Sequence, residues 1–241
     1  MNYHCQKLKS GLYLVATPLG SARDITLRAL DVLCSCDALA AEDTRSMRKL
    51  LNIHNIPLKD RPILSYNDFN GDRVRPTIMN WLNSNMAVAY ASDAGMPLIA
   101  DPGYQLSKQA AEAGFYVTAV PGASACITAL SLSGLPTDRF FFEGFLPVSK
   151  EKRRQKLKEL SSIPSTLIFY ESPKRLIKMF EDLIAIMGEN RRAVIARELT
   201  KKFEQIISGT LGELHALILK KPLKGELVVL LDRPLSTGLE D

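Results

Sequence analysis

The chain has 241 residues, of which 46% are hydrophobic and 24% charged, proportions typical of a folded globular protein rather than a disordered chain. It contains no apolar run of the ~18–20 residues that a membrane span needs, and the polar residues 1–10 are not followed by the apolar core of a secretory signal. The four cysteines form no CxxC pair, and none of the three histidines lies near them at a metal-ligand spacing. We therefore expect a cytoplasmic protein with reduced thiols, no metal site and no membrane anchor.

The net charge of +5 at pH 7 is concentrated in one segment of the chain. Residues 150–158 hold six lysines or arginines and a single glutamate. A basic helix of this kind suits a polyanion such as RNA. A solvated helix face gives the same pattern, so the charge alone leaves both interpretations open.

The first half of the chain alternates short apolar runs with helical stretches. The periodicity predicts strands at 12–16, 37–41, 63–66, 87–91 and 116–120, and helices at 27–36, 47–52, 73–82 and 104–113. The residues Asp24 or Thr26 and Thr44 or Ser46 are candidate caps of the first two helices. Alternation at this spacing predicts right-handed βαβ units and a mostly parallel sheet.

The second half of the chain has more strands than helices. We predict strands at 140–142, 166–170, 193–196, 205–209 and 226–231, a turn at 144–147, and helices at 123–132, 149–160, 175–187 and 211–219. This pattern favours a mixed sheet. The breaker Pro121-Gly122 marks the boundary between an N-terminal α/β domain, 11–121, and a C-terminal α/β domain, 122–235.

The loops that follow the predicted strands of the first domain suggest a binding site. The buried strand at 87–91 stops abruptly in a loop containing Asp93 and Gly95. Similar breaker loops lie at 17–20, 42–45 and 121–125. In a parallel sheet they project from one edge, where open α/β folds bind their ligands. A single loop of this kind is more often only a tight connection in which the aspartate caps the next helix.

Several catalytic signatures are missing from the sequence. The first strand is not followed by GxGxxG, there is no GxxxxGK[ST] phosphate loop, and no serine and histidine form a nucleophile elbow. Chemistry without a histidine base, metal or covalent intermediate is therefore favoured. Transfer of an already activated group fits, because it needs mainly alignment and electrostatic help.

A series of motifs occurs in a fixed order along the chain. They are LYLVATPLG at 12–20, DITLRAL at 24–30, AEDTR at 41–45, SDAGMPLIADPG at 92–103, PGASA at 121–125, SGLPTDRF at 133–140, FYESP at 169–173, ARELTK at 196–201 and KGE at 224–226. Over residues 11–231 the chain resembles the bacterial 16S rRNA ribose 2′-O-methyltransferases of the tetrapyrrole-methylase-like superfamily. It departs from them at 20–24 and in the loop 66–70, where histidines are usual.

The resemblance implies a class III methyltransferase-like fold, with two α/β domains and a cofactor cleft between them. It implies S-adenosyl-L-methionine as cofactor and a homodimer as the assembly. The substrate implied is the small ribosomal subunit, at the 2′-hydroxyl of a cytidine in the decoding region of its 16S rRNA.

The resemblance also assigns residues to the site. The cofactor is expected to contact Pro18, Leu19, Asp93, Ala94, Gly95, Pro97, Ser124, Ala125, Tyr170, Ala196, Gly225 and Glu226. Catalytic candidates on the acceptor side are Glu42, Asp43, Arg45, Glu171, Arg197 and Lys201. A carboxylate or a neutral lysine near the acceptor hydroxyl would serve as base, while the arginines are better suited to phosphates.

Simpler structural interpretations exist for several of these residues. Glu42 and Arg45 have the (i, i+3) spacing of a helical ion pair, and Tyr170 has the composition of a core aromatic residue. None of the candidates is singled out as the base. For the whole chain, the alternatives are a tetrapyrrole C-methyltransferase with the same fold and a non-catalytic RNA-binding module.

Overall fold

The computed structural model describes residues 3–234. The chain divides into two compact units, the first ending at Ser124 and the second beginning at Ala125. Each unit is an α/β structure with its own five-stranded sheet. Residue 235, the predicted end of the second domain, lies outside the described part of the chain.

The first unit contains a parallel sheet, as predicted. Its elements are β1 (Gly11–Val15), α1 (Leu27–Ser35), β2 (Ala38–Ala41), α2 (Thr44–Ile53), β3 (Ile63–Ser65), α3 (Gly71–Asn83), β4 (Ala87–Ala91), α4 (Tyr104–Glu112) and β5 (Val117–Val120). The strand order is β3-β2-β4-β1-β5, and all four pairings are parallel. Every residue of β2 and β4 is buried, which explains why these strands are uninterrupted apolar runs without alternation.

The sequence predicted the N-cap residue correctly for α1 and incorrectly for α2. The Thr26 hydroxyl accepts a hydrogen bond from the backbone N–H of Ala29, which confirms Thr26 as the cap of α1. The prediction of Thr44 or Ser46 for α2 is wrong, because Asp43 is the N-cap residue and accepts from the backbone N–H of Arg45 at 2.8 Å. A carboxylate at this position also interacts favourably with the helix dipole.

The second unit contains a mixed sheet, again as predicted. Its elements are α5 (Ala125–Ser133), β6 (Phe140–Phe145), α6 (Lys150–Ser161), β7 (Thr166–Glu171), α7 (Pro173–Met187), β8 (Arg192–Arg197), β9 (Gln205–Thr210), α8 (Leu211–Lys220) and β10 (Leu227–Leu231). The order is β6-β7-β10-β8-β9, with β6 parallel to β7 and the other pairings antiparallel. Strand β6 continues past the predicted end at 142, because a bulge leaves Glu143 unpaired and Gly144 and Phe145 pair again with β7.

The basic helix α6 is only partly a solvated face. Arg153 is 5% exposed and its guanidinium pairs with the Asp182 carboxylate on α7, at 2.7 Å between Nη2 and Oδ2. Arg154 pairs with the other oxygen of the same carboxylate. Burial opposes ionisation of Asp182, but the hydrogen bonds from Arg154 and Arg153 prevail and lower its pKa. Two of the six cations of this segment therefore hold helices α6 and α7 together.

The expectation of four reduced thiols is wrong for one pair of cysteines. Cys5 and Cys34 form a disulfide that links the N-terminal segment to α1. Cys36 and Cys126 are buried thiols outside this disulfide, and burial raises the pKa of the Cys36 thiol to about 11. Within residues 3–234, no helix is both long and apolar enough to cross a bilayer. The same residues contain no group of three or more His, Cys, Asp or Glu side chains arranged to hold a metal ion.

Replacing Asp182 should destabilise the second unit strongly. Asp182→Ala leaves Arg153 buried without its counter-charge, a change that typically costs about 3–5 kcal/mol. The control is Glu159→Ala, which removes a surface pair with Lys156 and should cost less than ~1 kcal/mol. Urea titrations of both variants would measure the difference in unfolding free energy. Equal costs would contradict the structural role of the buried pair.

Candidate active site

The loops after β1, β4 and β5 meet at the carboxyl edge of the parallel sheet. Thr17 and Gly95 form an isolated antiparallel bridge, with both N–H to O distances at 2.9 Å. Gly95 has a φ of +83°, and a Cβ added there would lie 3.3 Å from Leu19 Cδ2 and 3.5 Å from the carbonyl oxygen of Ala123. We call these four residues the Gly95 cradle. The structure thus brings three separate loops into contact around a backbone position that has no side chain.

The predicted cofactor residues of the first unit lie at or next to this cradle. Pro18 and Leu19 follow the bridge residue Thr17 and are partly exposed, whereas Gly95 and Pro97 are buried. Asp93 is exposed, and it does not cap a helix, because α4 begins at Tyr104 with Gly103 as its N-cap. The interpretation of Asp93 as a helix cap is therefore wrong.

Carboxylates accumulate at the same edge of the sheet. Glu42 follows β2 and accepts a 3.4 Å hydrogen bond from the backbone N–H of Asp93. Burial raises the pKa of Glu42, and the negative charges of Asp93, Asp68 and Asp43 add to the effect. Burial, together with the charge of Asp43, also raises the pKa of Asp93. Such a cluster of carboxylates favours a cationic ligand, because neighbouring positive groups do not fully balance its negative charges.

Asp43 and Arg45 form a tight pair with each other. Their closest atoms, Oδ2 and Nη2, are 2.6 Å apart, so the predicted pairing of Arg45 with Glu42 is wrong. Hydrogen bonds from the Arg45 side chain and backbone lower the pKa of Asp43 to about 2. Asp43 is thus a helix cap and a weak base. Arg45 keeps 89% of its side chain exposed and is available to an anion.

The register of the second sheet brings a further group of predicted residues together. Tyr170 and Ala196 lie on either side of Val228, and Glu171 and Arg197 on either side of Leu227. Gly225 and Glu226 immediately precede β10, so they lie at this same end. Ala196 is 1% exposed, so almost none of this residue is open to a ligand in this structure.

Lys201 belongs to the same group and is held by two carboxylates. Its ammonium lies 3.2 Å from Glu198 Oε1 and 3.0 Å from Glu226 Oε2. Burial alone would lower the pKa of Lys201, but the pairs with Glu226 and Glu198 raise it overall. The two carboxylates therefore favour the charged form of Lys201 over the neutral amine that a base would need. Arg197 is engaged as well, by the carbonyl oxygen of Lys224 and by Gln205 Oε1.

The backbone around Lys201 is held in an unusual conformation. Glu198 and Thr200 have positive φ values of 50° and 62°, and Gly225 has a φ of 92°. A Cβ on Gly225 would overlap the Glu198 carboxyl group. Non-glycine residues with positive φ concentrate at functional sites, so this conformation agrees with the predicted importance of the segment.

Glu171 and Tyr170 end β7 in different environments. Glu171 is 3% exposed. Its Oε1 accepts from the backbone N–H of Ser172 and pairs with Arg175 at 3.2 Å, while Oε2 has no hydrogen-bond partner among residues 3–234. Burial raises the pKa of this carboxyl group. The Tyr170 hydroxyl accepts from the backbone N–H of Cys126, at the start of α5 next to the predicted residues Ser124 and Ala125.

The structure thus gathers the predicted residues into one group on each unit. The predicted cleft between the domains and the individual roles of the residues stay predictions. One acidic residue of the first unit was missed by the sequence reasoning: Asp101, whose pKa is raised to about 6 by burial and then by the charge of Glu42. In the sequence, Asp101 belongs to the turn-forming segment Asp101-Pro102-Gly103. The only sign of its importance was that this segment lies close to the loop that contains Asp93 and Gly95.

Comparison with known proteins shows which family the chain represents. The family model for Tetrapyrrole (Corrin/Porphyrin) Methylases matches residues 11–215. The chain belongs to this family. It is 47% identical over 221 residues to ribosomal RNA small subunit methyltransferase I of Vibrio cholerae serotype O1, covering 91% of this chain and 76% of that protein. It is 44% identical over 231 residues to the protein of the same name in Halalkalibacterium halodurans, covering 96% and 78%.

Several solved structures share the fold at low sequence identity. Cobalt precorrin-4 methyltransferase is 16% identical with a TM-score of 0.69, over 92% of this chain and 94% of that chain. Diphthine synthase is 17% identical with a TM-score of 0.69, over 92% and 89%. Uroporphyrin-III C-methyltransferase from Thermus thermophilus, complexed with S-adenyl homocysteine, is 17% identical with a TM-score of 0.65, over 92% and 97%. These likenesses confirm the expected fold class.

Proposed function

We propose that the protein is an S-adenosyl-L-methionine-dependent methyltransferase that modifies the ribose 2′-hydroxyl of a cytidine in the decoding region of 16S rRNA. The relatives at 44–47% identity, named as small-subunit rRNA methyltransferases, support this substrate class. The observation that carries the proposal is the Gly95 cradle, flanked by the carboxylates of Glu42 and Asp93. The alternative of a tetrapyrrole C-methyltransferase is supported by the family model and by fold likeness at 16–17% identity, which is weaker support than 44–47% identity to rRNA methyltransferases.

The residues of the cradle fit the proposed cofactor. Gly95 brings the backbone of its loop close to Leu19 and Ala123, and an added Cβ there would lie 3.3 Å from Leu19 Cδ2, so that Leu19 would have to shift. When bound, S-adenosyl-L-methionine supplies a methyl group on a sulfonium that is already activated for transfer. Glu42 and Asp93 would stabilise that positive charge, because opposite charges attract, and the attraction is stronger at the partly buried Glu42, where the dielectric constant is lower. Leu19 and Pro97 would exclude water from the methionine end.

The second unit offers groups for the nucleoside end of the cofactor. Tyr170 presents a ring that packs edge-on against Phe142 and Phe145. The backbone at Gly225 can donate or accept hydrogen bonds, and the exposed carboxylate of Glu226 can accept them, from an adenine or a ribose. We assign these residues, with Ala196, to cofactor binding.

The remaining lysines of α6 are proposed to bind the RNA backbone. Lys150, Lys152 and Lys158 are exposed, while Arg153 and Arg154 are committed to Asp182. Together with the exposed Arg45, these lysines would contact phosphates, which position an RNA without reading its sequence. An rRNA substrate also places the protein in the cytoplasm.

We further propose that the protein is a homodimer. Strand β6 is an edge strand of the second sheet, and Phe140 and Phe141 are 43% and 40% exposed. An edge strand with exposed large apolar side chains favours association.

Light scattering at micromolar concentration should give twice the 26.7 kDa of one chain, and the double variant Phe140→Lys, Phe141→Lys should shift the species toward the monomer. A monomeric parent protein would contradict this proposal.

The Gly95 cradle can be tested through cofactor affinity. Gly95→Ala should weaken binding of S-adenosylhomocysteine at least tenfold, because the added Cβ presses on Leu19 and narrows the approach to the backbone. Gly114→Ala is the matched control, since Gly114 has a similar φ of +78° but no atom within 4 Å of an added Cβ. Isothermal titration calorimetry measures both affinities. Equal weakening in the two variants would show that the cradle is not the binding site.

The substrate can be tested in cells. Deleting the gene should remove one ribose 2′-O-methyl group from the decoding region of small-subunit rRNA, and restoring the gene should return it. Mapping of ribose methylation by primer extension at limiting nucleotide concentration gives the readout. If every 2′-O-methyl group persists in the deletion strain, the proposed function is wrong.

A further inference from the structure

A small pocket lies beside the carboxylates of the first unit. It is formed by the loop after β3 with the start of α3 and by residues 101–105 at the start of α4. Its volume is about 170 Å³, the space of about five or six water molecules in the liquid. Pockets for ligands of cofactor size usually measure ~300–1,000 Å³. This pocket therefore suits a single ring, such as a pentose, rather than the methyl donor.

The floor of the pocket is built from packed aromatic residues. The ring of Tyr66, which is 3% exposed, packs edge-on against that of Tyr90 with centroids 5.5 Å apart. The Tyr90 hydroxyl donates to the carbonyl oxygen of Pro102 at 2.7 Å. A Cβ on Gly103 would overlap the Tyr90 ring. The segment that carries Asp101 is thus held in place from the core, which is the preorganisation that a reactive group requires.

The side chains around the pocket match a nucleoside. Asp101 is a partly buried carboxylate, and Arg75 is a partly buried guanidinium that pairs with Asp72 at 2.8 Å. Tyr104, at the start of α4, is 61% exposed. An aromatic face that stacks a base, a guanidinium that donates to polar atoms, and a carboxylate that accepts a proton are recurring elements of RNA-binding sites.

We propose that this pocket receives the ribose of the acceptor nucleoside and that the Asp101 carboxylate takes the proton of the hydroxyl that is methylated. The inference rests on the proposed function and adds the acceptor site and the base to it. Tyr104 stacks the attached base at the mouth of the pocket. Arg75 donates hydrogen bonds to the base or to a neighbouring phosphate.

The transfer step balances in atoms and charge. The hydroxyl oxygen forms a bond to the methyl carbon while the carbon–sulfur bond of the sulfonium breaks and its electron pair stays on sulfur. The hydroxyl proton moves to Asp101. The sulfonium loses its positive charge as the carboxylate loses its negative charge, so the site develops no net charge in a partly buried environment, where an uncompensated charge is costly.

The surroundings of Asp101 make it a better base than an ordinary aspartate. Burial, followed by the charge of Glu42, contributes most to raising its pKa to about 6; Asp93 and Asp68 act in the same direction, and a hydrogen bond with Ser92 opposes them. The carboxylate is mostly ionised above this value and mostly protonated below it. A base with a pKa close to the working pH is the efficient one.

Asp93 also connects the pocket to the cradle. It interacts electrostatically with Asp101, and the backbone at Asp93 donates to Glu42. The residues proposed to bind the acceptor hydroxyl and the sulfonium end of the cofactor therefore lie on neighbouring loops at one edge of the sheet.

The first experiment compares Asp101→Asn with Glu112→Gln, a matched carboxylate-to-amide change at an exposed position of α4. The substrate is the small ribosomal subunit from a strain lacking the gene. Asp101→Asn should lower the turnover number about 100-fold or more, within the range for loss of a general base, and keep its affinity for S-adenosylhomocysteine within threefold. Glu112→Gln should match the parent protein. Parental turnover in Asp101→Asn, or a loss of cofactor affinity equal to the loss of turnover, would overturn the inference.

The pH profile provides a second measurement on the same proteins. Because a base must be deprotonated to act, the turnover number of the parent should rise with pH through about 6 and level off above it. The residual turnover of Asp101→Asn should lack this rise. A rise that persists in the variant would assign the titration to another group, such as Glu42, Asp68 or Asp93, and contradict the role of Asp101.

The pocket itself is tested without replacing Asp101. Tyr104→Ala should raise KM for the small subunit about tenfold with little change in turnover number, and Tyr104→Phe should restore it, since only the ring is needed for stacking. Saturation-transfer NMR with free cytidine should show contact in the parent protein and lose it in Tyr104→Ala. Unchanged KM and unchanged cytidine contact would overturn the assignment of the pocket. A parent protein that methylates no small subunit would instead refute the proposed function.

Discussion

The site of the first unit depends on two backbone hydrogen bonds between Thr17 and Gly95, each at 2.9 Å. They join the loops that follow β1 and β4, two central strands of the sheet. Because the strands are parallel, both loops leave from the same edge, and the bridge fixes their separation. Glycine is favoured at position 95 by its positive φ and by the close approach of Leu19. The proposed cofactor contacts in these two loops lie next to that bridge.

Acidic groups at the sheet edge of the first unit and basic groups of the second unit have different proposed roles. The protein is basic overall, yet carboxylates of three loops meet at the sheet edge, and their mutual repulsion together with burial raises the pKa values of Glu42, Asp93 and Asp101. Such repulsion destabilises the folded protein, and groups with shifted pKa values are concentrated at functional sites, in agreement with the proposed binding of a cation and transfer of a proton at this edge. The basic groups of the second unit are distributed differently. Arg153 and Arg154 stabilise helix packing, and the exposed lysines of α6 remain for a polyanion.

Local patterns predicted most of the fold. Uninterrupted apolar runs identified β2 and β4, and breaker residues located the loops that carry the site. What could not be predicted depends on partners distant in the chain. The pairing of Arg153 with Asp182 and of Cys5 with Cys34 requires the tertiary structure, as does the burial that makes Asp101 unusual. Lys201 was a candidate base by residue type alone, and only the positions of Glu198 and Glu226 show that it stays charged.

The central claim is that three loop ends of one sheet form a single binding surface for a methyl donor. Hydrogen–deuterium exchange of the parent protein with and without S-adenosylhomocysteine tests this claim directly. The account predicts that amides in 17–20, 93–97 and 122–124 become protected together on addition of the ligand. Protection of none of these segments, or of only one of them, would contradict it.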